Sequence, residues 1–94
     1  MDLTEINLPE QLDIAALAAL KEELVNAASS SGSLRIDGAA VERVSTPAVQ
    51  LLLAAARAIE ADGRTIRLES PSQTLSAAFQ DLGLEQEFRK WSAN

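Results

Sequence analysis

Leu34-Arg35-Ile36-Asp37-Gly38-Ala39-Ala40-Val41-Glu42-Arg43-Val44-Ser45-Thr46-Pro47-Ala48-Val49-Gln50-Leu51-Leu52-Leu53 is the stretch on which the fold turns. Ser33 to Gly38 alternates apolar and polar residues between turn signals, which predicts a strand finishing near Asp37 and loosening toward Val41 and Val44. Thr46-Pro47 then sets a hydroxyl at a helix N-cap with proline in the first turn, the start signal for a helix over Ala48 to Ala61. Val49, Leu52, Leu53, Ala56 and Ile59 give that helix an apolar stripe, and Gln50, Arg57 and Glu60 mark its wetter side. A strand feeding a helix through a short loop is half of a β-α-β unit.

The flanks repeat the alternation. Leu3 to Leu8 is an imperfect period-two run stopped by Pro9, read as a short strand at a sheet edge. Asp13 is a suitable N-cap for a helix over Ile14 to Val25, with Leu17, Leu20 and Leu24 at helical spacing, and Ser29-Ser30-Ser31-Gly32 ends it. Beyond the second helix, Asp62-Gly63 turns the chain and Arg64 to Glu69 alternates into a third strand. Ser70-Pro71-Ser72-Gln73 reads as a capping box with Ser70 as the cap and Gln73 at the third helical position. Leu75, Ala78, Phe79 and Leu82 form the buried stripe of the helix that follows. Gly83 breaks it, and Leu84 to Trp91 makes a last short helix that lays Leu84 and Phe88 on the same body. The expected class is α/β, a small mostly parallel or mixed β-sheet with helices packed on one face and the other face partly wet.

Composition removes several functions. Eight basic against fourteen acidic residues leave a formal charge of −6, which repels phosphate backbones and anionic membrane surfaces. Aromatic residues are 3% of the chain, too few for a base-stacking platform, so no nucleic-acid partner is expected. The absence of cysteine and histidine removes thiolate and imidazole ligands and the commonest general base, so no catalytic residue, cofactor or metal is expected. No run approaches the roughly 20 apolar residues of a membrane span, and Met1-Asp2-Leu3-Thr4 lacks a signal-peptide opening. A cytoplasmic protein with no direct membrane insertion is expected.

The Leu34–Leu53 stretch resembles the signature of STAS domains, the family of anti-sigma factor antagonists. There a strand ending in an acidic residue leads through a short apolar loop to a small hydroxyl-bearing turn that opens a Leu- and Ala-rich helix. The common pattern is Asp-Ser-Ser-Gly or Asp-Thr-Gly-Gly. In this chain Ser45 stands where the family usually has Asp, Thr46 falls on the phospho-acceptor hydroxyl, and Pro47-Ala48 replace the usual small residues. Ala61 to Leu68 and Leu75 to Leu84 match the later crossover and helices, so residues 1–94 are expected to be a single STAS-like domain.

The resemblance implies a non-catalytic module that docks on a protein partner. Its contact surface would include Arg43, Val44, Ser45, Thr46, Pro47 and Gln50. The implied partner is an anti-sigma factor with serine/threonine kinase activity, and phosphorylation of Thr46, or of Ser45, would release it. Two other homes use the same surface: the STAS subunit of a lipid-transport ABC complex, and a scaffold in a chemotaxis or signalling assembly. Thr46 also reads as a plain helix cap, Arg43 as a steering charge or a solvated loop residue, and Trp91 as a core staple or an exposed contact. Asp37 reads as a turn residue before Gly38.

Overall fold

The computed structural model describes residues 3–29 and 32–92. Met1 and Asp2 of the opening and Ser30 and Ser31 of the serine loop lie outside the described residues. In chain order the elements are β1 (Leu3–Asn7), β2 (Gln11–Leu12), α1 (Leu17–Ser29), β3 (Ser33–Asp37), β4 (Arg43–Val44), α2 (Thr46–Ala61), β5 (Ile66–Glu69), α3 (Gln73–Asp81) and α4 (Glu85–Ser92). The main sheet is parallel throughout in the order β1-β3-β5, so β1 is the edge strand its short pattern predicts.

Register explains the two faces. Ile6, Ile36 and Leu68 lie level across the sheet, as do Leu34 and Ile66, and all five are buried with the helices in one apolar core. The alternate positions form the wet face, with Glu5, Arg35 and Arg67 in one row and Asn7, Asp37 and Glu69 in the next. Arg35 sits at its centre, hydrogen-bonded to Glu5 and 3.7 Å from Glu69. The Glu5 hydrogen bond, then the nearby carboxylates, hold the Arg35 guanidinium above its ordinary pKa.

The helices largely follow their stripes. Leu20, Leu24 and Ala27 of α1 and Val49, Leu52, Ala56 and Ile59 of α2 are buried, with Leu17 and Leu53 half-buried beside them. Asp13 does cap, its carboxylate accepting the Ala15 N–H at 3.1 Å, but it opens a 3-10 turn over Ile14–Ala16, and α1 begins only at Leu17. Leu75 and Phe79 are buried in α3, whereas Leu82, expected in that stripe, is 41% exposed because the helix has ended before it. Trp91 is a staple: it is buried, and its ring meets Phe79 edge-on at 5.7 Å, while the Phe88 ring lies 5.0 Å from Phe79.

Both helix starts read from Ser/Thr-Pro pairs shift. The cap of α2 is Ser45, not Thr46, and the cap of α3 is Ser72, not Ser70. Ser70 instead adopts a left-handed conformation with φ of 49°, and Gln73 is the first helical residue, so the capping box does not form. One cause covers both shifts. The amide of each true cap is tied to a distant carbonyl, Ser45 to Leu12 at 2.9 Å and Ser72 to Gly38 at 3.0 Å. Each tether holds its serine extended, and the helix begins at the next residue.

Candidate functional site

The loop from Gly38 to Ser45 is where sequence reading expects loosened strand, and the structure makes a clasp there. β4 pairs in parallel with β2, placing Arg43 beside Gln11 and Val44 beside Leu12. The Glu10 carbonyl accepts the amides of Glu42 at 2.8 Å and Arg43 at 3.0 Å, and the Leu12 carbonyl accepts that of Ser45. Asp37 turns the chain into this loop, its carboxylate accepting the Ala39 N–H at 2.9 Å, as its place before Gly38 predicts. Gly38 lets the loop pass close to α3, since a Cβ there would lie 2.7 Å from Leu75 Cδ2.

The clasp delivers the six residues singled out by sequence in two groups. Val44 is half-buried against the core, and half-buried Ser45 has its Oγ 3.3 Å from the Ala48 N–H it accepts. These two hold the site in place. Arg43, Thr46, Pro47 and Gln50 are exposed and form the surface a partner could touch. Arg43 makes no ion pair among the described residues. The Thr46 hydroxyl has no part in capping, and Pro47 follows it within the first turn. Pro47 has no amide and that of Ala48 is taken, which leaves the amide of Thr46 and the dipole as what the helix start offers an anion.

Pro47 and Gln50 also line a shallow hollow completed by Leu51 and by Leu17, Ala18 and Lys21 of α1. Sequence reading missed the α1 contribution because Leu17, Leu20 and Leu24 drew attention to the core stripe. The signal was a second series, Ala18, Lys21, Val25 and Ala28, spaced at three and four along the outer side. Ile14 precedes it and is 75% exposed, and Val25 is 54% exposed. Among the described residues no group of carboxylates is arranged to hold a metal ion, and no helix is long and apolar enough to cross a membrane.

Residues 2–90 match a family model described as "Mlab, STAS domain". The chain belongs to the STAS-domain family. No match is found among curated proteins or among solved structures. STAS domains are generally non-catalytic modules for regulation and binding, and they typically act through protein–protein contacts. The small parallel sheet with helices on its apolar face is consistent with that family.

Proposed function

We propose that this STAS domain is a non-enzymatic cytoplasmic regulator that docks on a kinase-type anti-sigma factor, so that binding frees a sigma factor for transcription. The contact surface is the Arg43–Gln50 loop and helix start, and the acceptor of a phosphate switch is Thr46 in preference to Ser45. The observation that carries the reading is the division of labour between these two hydroxyls. Ser45 is half-buried and committed to the Ala48 amide, while Thr46 is exposed and free of the capping role.

Phosphate on Thr46 adds up to about two negative charges and considerable bulk beside Pro47 and Gln50. With one amide missing and another occupied, the helix start keeps the Thr46 amide and the dipole for that phosphate, and the added charge and bulk still stand out from the surface. Its effect therefore falls on the partner, through repulsion and lost fit. The test is affinity capture of tagged wild type and Thr46→Glu from the native cytoplasm, with mass spectrometry reading partners and phosphate. A kinase-like ATPase held by wild type and lost by Thr46→Glu supports the switch. Equal capture by both proteins, with no phosphate found, sinks it.

A second reading has its own support. The acidic residue that precedes the acceptor in the family pattern is replaced by Ser45, which the fold uses as a cap. A module without that carboxylate also suits constitutive bracing, as in a STAS subunit of a lipid-transport ABC complex. Recovery of transporter subunits by both proteins in the same capture selects it.

A further inference from the structure

α1 and α2 lie side by side and run in the same direction, Leu17 facing Pro47 at one end and Ala28 facing Ala55 at the other. Their outer surfaces meet in a groove with two hollows. The first, about 420 Å³, is lined by Leu17, Ala18, Pro47 and Leu51, and the second, about 210 Å³, by Leu24, Val25, Leu51 and Ala54. From Pro47 to Ala54 or Leu17 to Leu24 is seven residues, about 10 Å along a helix axis. That is also the distance between side chains seven apart on a third helix laid in the groove.

Charge narrows the occupant. Lys21 borders both hollows and makes no ion pair among the described residues. Its neighbours at three and four along α1 are Leu17, Ala18, Leu24 and Val25, so no carboxylate stands one turn away from it on its own helix. The chain has fourteen acidic residues, yet none lines either hollow. An apolar groove with one unpaired cation midway complements an amphipathic helix carrying one acidic residue between two apolar anchors. An anionic membrane fits poorly, because the chain as a whole carries a formal charge of −6.

We propose that the α1/α2 groove receives an amphipathic helix of the protein partner, with apolar side chains seven residues apart in the two hollows and a carboxylate between them against Lys21. The inference rests on the reading of this domain as a docking module, and it names the element of the partner that docks.

The probes are two synthetic helical peptides of about 18 residues, with leucines seven apart and either Glu or Lys midway, titrated into the isotopically labelled domain and followed by NMR. The expected result is that the Glu peptide shifts the amides of Lys21, Val25, Leu51 and Ala54 and binds about fivefold more tightly than the Lys peptide. Lys21→Glu reverses that preference, and Ala54→Glu, at an exposed position, abolishes binding of both while the domain stays folded. Equal binding of the two peptides, or shifts centred elsewhere, overturns the proposal. So does binding to phosphatidylglycerol vesicles that depends on Lys21 while neither peptide binds. Capture from the native cytoplasm separates the two readings. A partner lost by Thr46→Glu and kept by Ala54→Glu removes the groove and leaves the helix-start surface, whereas the opposite pattern supports the groove and removes the switch.

Discussion

The two helix pairs that cover the sheet are finished differently. α3 and α4 are closed by ring contacts: buried Phe79 packs against Phe88 and Trp91, and Lys90 ties α4 to Glu60 of α2 at 3.0 Å. α1 and α2 bury their inner stripes just as thoroughly but leave an apolar outer groove, with Val25 exposed and Lys21 unpaired among the described residues. All three aromatic residues of the chain lie in the closed half. One half is built to hold the fold and the other to present a surface. Substitutions should therefore affect stability in the first and binding in the second.

The largest test of that contrast is Phe79→Ala, which removes the ring around which the closed half packs. It should cost about 3–5 kcal/mol in urea unfolding, and a loss under about 1 kcal/mol would show that the closed half does not depend on that ring. Gly38→Ala pushes a methyl group toward the buried Leu75 side chain at the seam between β3 and α3. It should cost about 1–3 kcal/mol by the same assay.

Ser45→Ala should cost about 1 kcal/mol and Thr46→Ala less than about 0.5. The reverse order would show that Thr46, not Ser45, caps α2, and would undo the assignment of the free hydroxyl. Smallest of all, Lys21→Glu on the open half should move stability by no more than about 0.5 kcal/mol. A larger loss would mean that the groove supports the fold.

Regular elements were legible because their periodicity is physical. Leu34 and Ile36, Ile66 and Leu68 alternate with polar neighbours, and the sheet buries them on one side as that spacing requires. Leu20, Leu24, Val49, Leu52 and Ile59 are likewise core residues on their helices. The β2–β4 pair was not legible, since two-residue strands have no period and their bonds join residues about thirty apart. The two misplaced caps have the same origin. Ser45-Thr46-Pro47 and Ser70-Pro71-Ser72 each offer more than one hydroxyl, and local preference cannot choose when the choice is made by a carbonyl on Leu12 or Gly38. At the site, the exposed positions Arg43, Thr46, Pro47 and Gln50 came from resemblance, and the α1 wall needed the fold to bring it beside α2.

The clasp has a consequence for how such a surface can change over generations. Its hydrogen bonds run between main-chain atoms of Glu10, Leu12, Glu42, Arg43 and Ser45. Any non-proline residue at positions 42 and 43 supplies the same amide. The exposed side chains of Glu42 and Arg43 can therefore be exchanged while the loop stays anchored, so the domain can acquire a new partner there without first learning to fold again.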